Sequence, residues 1–213
     1  MRETRQVTSS PLVNIVDDDV SMRESLTDLF RSISYEVSAF DSPDEFLRRA
    51  DLTRPGCIVL DVRLPGINGI EFKAQLERNG SVLPVVFMTG FGDISMSVRA
   101  MKSGAVDFLA KPFRDQEIID AVMAAIGRDA ARRHDLQHHK ALAARVELLT
   151  PREREVMDAV AQGLMNKQIA FNLGISEVTV KLHRGNVMRK LEVRSVAQLV
   201  RMTDRTHDAS PRA

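Results

Sequence analysis

The chain of 213 residues is 44% hydrophobic and 28% charged, with a net charge of +1. These are ordinary values for a globular protein, and the length leaves room for one large domain or two modest ones. No apolar run reaches about 18 residues, which excludes a transmembrane helix, and the single cysteine, Cys57, excludes an internal disulfide. The polar start MRETRQVTSSP lacks the apolar core of a signal peptide, so a cytoplasmic location is expected. Charge is unevenly spread. Residues 1–115 hold 14 basic against 17 acidic side chains, and residues 116–213 hold 16 against 12. An acidic half followed by a basic half points to two domains with different partners.

In chain order, short β-rich runs appear at LVNIVD, EVSAF, CIVLDV, LPVVFMT and AVDFLA. Segments with helical spacing lie between them: SMRESLTDLFRSI, SPDEFLRRAD, NGIEFKAQLERNG and ISMSVRAMKSG, with a fifth helix beginning near Asp115. Five strands alternating with five helices predict a parallel sheet covered on both faces, and several strands are apolar throughout, as that burial requires. Ser42-Pro43 reads as an N-cap followed by a first-turn proline, and Gly80 and Gly104 follow helix ends. From Asp115 to Leu149 the composition stays helical, predicting one long helix or two nearly collinear ones. These would complete the first domain and continue as a linker. Thr150, Pro151 and Glu153 then form a capping-box start, and further helices cover NKQIAFNLG, SEVTVKLHRGNVMRKL with Ser176 as N-cap, and SVAQLVRM with Ser195 and Gln198 as a second box. The expected divisions are a flexible N-terminus (1–10), an α/β domain (11–128), a helical linker (129–147), an all-α domain (148–203) and a frayed tail (204–213).

In an open parallel sheet, ligands gather beyond the carboxyl ends of the strands. A flavodoxin-like order 2-1-3-4-5 would bring Asp17 and Asp18, Asp61, Thr89 and Lys111 to one rim. Three carboxylates, a hydroxyl and an ammonium suit phosphoryl transfer onto a carboxylate. Hard oxygen ligands favour Mg²⁺, with Mn²⁺ as a substitute, and the metal would offset repulsion among the aspartates. Asp61 would be the nucleophile. Any one of these residues has a commonplace role in turns, caps or surfaces; their occurrence at successive strand ends is the specific signal.

IVDDD, VLDVRLPGINGIE, MTGFGD and GAVDFLAKPF resemble the receiver domain of bacterial response regulators over about residues 10–130. The resemblance implies that Asp61 accepts phosphate from a sensor histidine kinase. It implies that Asp18, Asp61 and the backbone carbonyl of Arg63 hold Mg²⁺, with Asp17 acting through water. Thr89 and Lys111 would contact the phosphoryl group, Lys111–Pro112 would be cis, and Phe108 would be the aromatic switch residue working with Thr89. The face of the fourth helix and fifth strand, including Val98 and Lys102, would dimerise on phosphorylation. Asp19, outside this set, is expected to cap the first helix near Ser21.

Between Asn166 and Arg194 the basic residues are Lys167, Lys181, Arg184, Arg189, Lys190 and Arg194. Two helices joined by a turn at LGIS, the second with a basic face, form a helix-turn-helix layout. Val180, Val187 and Leu191 should be core. Lys181, Leu182 and Gly185 would enter the major groove, with Leu182 near a thymine methyl. Lys190 and Arg194 would hold phosphates, and Thr179 and Arg184 complete the candidate set. The stretch LTPREREVMDAVAQGLMNKQIAFNLGISEVTVKLHRGNVMRKLEVRSVAQLV resembles the DNA-binding domain of the LuxR/NarL/FixJ group over residues 148–202. GLMNKQIA with EVTVK is similar to StyR-like regulators of aromatic degradation. Gly185 stands where some relatives carry a longer polar residue. The implied protein is a phosphorylation-activated transcription factor with promoter DNA, RNA polymerase and a second copy of itself as partners, and with no membrane contact.

A Mg²⁺-dependent aspartate-phosphorylating phosphatase or phosphotransferase is the alternative. Such enzymes commonly place a second Asp two residues after the nucleophile, where this chain has Arg63. An inert receiver-like domain is a third reading, against which the complete acidic set argues. His134, His138 and His139 sit close together in the linker and are read as solvated. The ten methionines are read as core filler.

Overall fold

The structure is a computed structural model describing residues 10–90, 94–200 and 202, with residues 94 and 95 as backbone only. The expected frayed tail, and the expected flexible N-terminus apart from Ser10, lie outside the described residues. Contacts divide the chain into two compact units, 1–133 and 134–213.

The first unit runs β1 (Leu12–Val16), α1 (Val20–Ser32), β2 (Glu36–Phe40), α2 (Pro43–Arg49), β3 (Gly56–Asp61), α3 (Gly69–Arg78), β4 (Val85–Thr89), α4 (Ile94–Lys102) and β5 (Asp107–Ala110). It also takes in the first part of α5 (Asp115–Glu147). The strands are all parallel in the order β2-β1-β3-β4-β5, as the sequence predicts. Alternation along the central strands builds two cores. Ile58, Leu60, Val85 and Phe87 join Phe46, Phe72 and Leu76 on one face. Val13, Ile15, Cys57, Val59, Val86 and Met88 join Leu26, Phe30, Ile118 and Val122 on the other. Cys57 is buried, and burial pushes its thiol pKa up to about 12, which leaves it a small apolar filler.

Local signals set the helix starts. The Asp19 carboxylate accepts from the backbone N–H groups of Ser21 and Met22, and the Ser42 hydroxyl accepts from Glu45 N–H at 3.2 Å. Helix α5 continues without a break past the last contacts with the sheet. Asp129, Arg132 and Arg133 still belong to the first unit: Asp129 accepts from Gly56 N–H and from Arg132, and Arg133 donates to the Thr53 and Arg54 carbonyls. The division between the units falls after 133, within the expected linker of 129–147.

The second unit contains the end of α5, α6 (Pro151–Ala161), α7 (Asn166–Leu173), α8 (Glu177–Lys190) and a further helix over 196–200. Its core gathers Leu149, Val156, Val160, Ile169, Val180, Val187, Leu191 and Leu199. Thr150 and Glu153 form the expected capping box at α6. At the last helix the box is shifted by one residue: the Gln198 side chain accepts from Arg194 N–H rather than from that of Ser195.

Candidate functional site

The carboxyl ends of β1, β3, β4 and β5 meet through Lys111, whose ammonium bridges two aspartates. It lies 2.6 Å from Asp17 Oδ2 and 2.9 Å from Asp61 Oδ1. Both carboxylates are withdrawn from solvent, Asp17 being 1% and Asp61 4% exposed. Asp17 also accepts from Asp19 N–H at 2.9 Å, and Asp61 Oδ2 accepts from Arg63 N–H at 2.7 Å. Asp18, next in sequence, is exposed. Thr89 is fully buried at the end of β4, where its backbone carbonyl accepts from Lys111 N–H at 2.7 Å. Lys111–Pro112 is cis.

The loop after Asp61 folds back tightly. Arg63 bridges Asn68, and Gly69 N–H donates to the Val62 carbonyl at 2.9 Å. A Cβ on Gly69 would stand 2.4 Å from the Asp61 carbonyl oxygen, so only glycine lets α3 start against the end of β3.

Burial raises the Asp61 pKa, and the Asp17 charge adds to the rise. The Lys111 ammonium and Arg63 N–H offset this only in part. Burial pulls Lys111 the other way, yet its hydrogen bonds and attraction to Asp17 and Asp61 outweigh that and leave its pKa raised. Two buried carboxylates therefore share one ammonium, and the rim keeps a surplus of negative charge. That surplus and the all-oxygen donor set fit a hard divalent cation. Among the described residues no group of three or more His, Cys, Asp or Glu side chains is arranged to hold a metal. Side chains alone would therefore leave much of the shell to water and carbonyl oxygen, which suits Mg²⁺.

Phe108, on β5, is half-buried against the core that contains Phe87 and Phe72. Val98 and Lys102 are exposed on α4. Sequence reasoning missed Lys73. Its buried ammonium donates to Glu77 at 2.5 Å and to the carbonyl of Ser103, just past the end of α4. A helix end with unpaired carbonyls attracts a cation, but nothing local to Lys73 signals that partner.

On the second unit, Lys181, Leu182 and Gly185 are exposed on α8, opposite the buried Val180 and Val187. Thr179 faces its own cap, its hydroxyl 2.8 Å from that of Ser176. Two basic residues are used inside the unit. Arg184 donates to Asn166 Oδ1 at 2.5 Å, joining α8 to α7. Lys190, expected on a phosphate, donates instead to the Leu148 carbonyl at 3.0 Å and to Glu153 at 2.6 Å. With a carboxylate and a carbonyl on it, that ammonium ties α8 to α6 and to the residues before it. Arg194 remains exposed.

The hydrogen bond from Lys190 is the main reason the Glu153 pKa falls from 4.5 to about 2, the Thr150 backbone N–H adding to it. A carboxylate depressed by folding stabilises the fold fully above its unfolded pKa and loses that contribution as pH falls through the folded one. Glu153→Gln should therefore cost about 1–2 kcal/mol at pH 7. In urea unfolding followed by helix signal, the gap from wild type should close between pH 4.5 and about 2.

Comparison with known proteins assigns a family to each unit. Residues 13–123 match the family model "Response regulator receiver domain", and residues 147–203 match "Bacterial regulatory proteins, luxR family". The chain is 51% identical over 199 residues to nodulation protein W of Bradyrhizobium diazoefficiens, covering 93% of this chain and 88% of that protein. It is 44% identical over 190 residues to the transcriptional regulatory protein FixJ of Azorhizobium caulinodans, covering 89% and 90%. The solved structure of the response regulator StyR superposes with a TM-score of 0.82 at 47% identity, covering 92% of this chain and all of that one. The chain belongs to the response regulators of the FixJ and LuxR type, DNA-binding transcription regulators that join a receiver domain to a helix-turn-helix domain.

Proposed function

We propose that Asp61 is the phosphoacceptor of this regulator, and that its phosphorylation by a sensor histidine kinase drives dimerisation and promoter binding. The observation that carries this reading is the Lys111 ammonium shared by Asp17 and Asp61 at the strand ends. An Asp61 carboxylate oxygen forms the new bond to phosphorus as the bond from phosphorus to the donor's imidazole nitrogen breaks, and the electron pair stays with the imidazole. Lys111 then neutralises charge on the phosphoryl oxygens, and Thr89 offers its hydroxyl to them. Asp18, Asp61 and the Arg63 carbonyl would hold Mg²⁺ or Mn²⁺, with Asp17 acting through water. The cation would supply charge neutralisation at the same oxygens.

New charge at the rim biases Thr89 and Phe108 toward a second arrangement, and the α4–β5 face with Val98 and Lys102 becomes the dimer surface. Two DNA-binding units then meet adjacent half-sites through Lys181, Leu182, Gly185 and Arg194, in reach of RNA polymerase. Residues 134–147 serve as the connection between the domains. The location is cytoplasmic.

Wild type treated with acetyl phosphate and Mg²⁺ should gain the mass of one phosphoryl group, shift to dimer in native mass spectrometry and bind DNA more tightly. Omitting Mg²⁺ should abolish all three. Correctly folded protein that gains no mass, or gains it and stays monomeric with unchanged DNA affinity, sinks the switch. Sustained hydrolysis of a phosphate ester would favour the phosphatase reading.

A further inference from the structure

Gly185 has no explanation within the fold. It lies in the interior of the 14-residue helix α8, and its φ is not among the positive values of the chain. A Cβ added there would meet nothing within 4 Å, so neither backbone conformation nor packing requires a glycine. Helix propensity opposes it, since replacing Ala by Gly in an exposed helix interior lowers the folding equilibrium about fivefold.

The face on which Gly185 lies is unusual too. At 100° per residue, Val178, Lys181 and Leu182 fall within about 60° of it, opposite the core residues Val180 and Val187. Val178 is 76% and Leu182 63% exposed. Two bare aliphatic side chains one turn apart, beside a missing side chain, with Lys181 one turn before it and the exposed Arg189 one turn after it, form a low ridge with an apolar centre and two positive charges. Such a ridge matches the floor of the DNA major groove, where thymine methyls are apolar and guanine edges accept hydrogen bonds. Glycine's structural use is to let backbone come close to a partner.

We propose that Gly185 is a specificity-determining residue: its missing Cβ lets the α8 backbone seat against base edges, so that Val178, Lys181 and Leu182 reach the operator. The inference rests on the outward face of α8 being the DNA-reading face. Gly185→Ala should then move stability and recognition in opposite directions. The variant should melt a few degrees higher. It should bind the specific duplex at least tenfold more weakly, and an unrelated duplex within twofold of wild type, because phosphate contacts are untouched.

The experiment selects a consensus from a randomised duplex pool with full-length wild type in acetyl phosphate and Mg²⁺. It then measures Kd for wild type, Gly185→Ala and Leu182→Ala on that consensus and on a scrambled duplex of equal length, beside thermal melts. Loss of consensus binding in both variants, with Gly185→Ala melting higher, supports the proposal. If Leu182→Ala weakens consensus binding and Gly185→Ala does not, the reading face stands and the role of Gly185 is overturned. An equal fall on both duplexes for Gly185→Ala also overturns it, since that marks backbone crowding rather than base reading. No effect from Leu182→Ala, or no selectable consensus, overturns the reading of the face itself.

Discussion

Asp61→Asn is expected to take up no covalent phosphate from acetyl phosphate and Mg²⁺, a loss of at least about 100-fold, and to unfold at a higher temperature than wild type. The two effects have one physical source. The Asp61 carboxylate is a buried anion that shares the Lys111 ammonium with Asp17, so desolvation is incompletely offset and the Asp61 pKa is raised above 3.8. An acid whose pKa is raised by folding costs stability wherever it is ionised in the folded state. The cost fades as pH falls through the folded pKa and is gone below the unfolded value. Asparagine keeps an acceptor for Arg63 N–H and leaves Lys111 paired one-to-one with Asp17. The gain should be about 1 kcal/mol at pH 7, a few degrees in melting temperature, and should shrink in acid. Intact mass together with calorimetry at pH 7 and pH 4 checks both halves. A phosphorylated Asn variant would move the acceptor to another aspartate, and a lower melting temperature would contradict the charge surplus.

Features written in neighbouring residues were legible from the sequence. Within the aspartate run at 17–19, the Asp19 cap on α1 is such a feature, whereas the tie from Asp17 to Lys111, 94 residues downstream, is not. The caps at Ser42, Thr150 and Ser176 depend on partners three residues away. The parallel sheet follows from the apolar runs of β1, β3 and β4, which a sheet covered on both faces buries. Partnerships across long separations were not legible. Lys190 sits on the same helix as the exposed cations Lys181 and Arg189, and its partner Glu153 is 37 residues upstream. Arg184 and Asn166 are 18 apart, and Lys73 and Ser103 are 30 apart. A lysine bound for solvent and a lysine bound for a carboxylate have the same local spelling, so charge patterning alone does not reveal the tie from Lys190 to Glu153. Gly185 is the converse case: its sequence cost was visible, but only the open space around it shows that the fold does not need it.

The same limit hid the network with the largest expected effect on stability. Asp129 is 1% exposed and accepts from Gly56 N–H at 3.0 Å, Arg132 at 2.6 Å and Arg133 at 2.6 Å. Arg133 in turn donates to the Thr53 and Arg54 carbonyls at 2.8 and 2.7 Å. One carboxylate thus ties α5 to the start of β3 and to the loop before it. Burial alone would raise its pKa, yet the guanidinium groups of Arg132 and Arg133 and the Gly56 N–H together lower it. The stabilisation is therefore complete above the ordinary carboxylate range and is lost as pH falls through the depressed value. Asp129→Ala would leave a buried N–H without an acceptor and two cations without their anion, at a cost of about 2–4 kcal/mol. Asp129→Asn, which keeps one acceptor, should lose roughly half as much. Gly56 begins β3 and Asp61 ends it, about 17 Å away along the strand. Both variants should therefore accept phosphate from acetyl phosphate at the wild-type rate at 10 °C while their receiver domains melt early. Urea unfolding beside the phosphorylation rate separates the two effects. A slowed phosphorylation in folded protein would mean that the Asp129 tie positions the far end of β3 as well as holding α5.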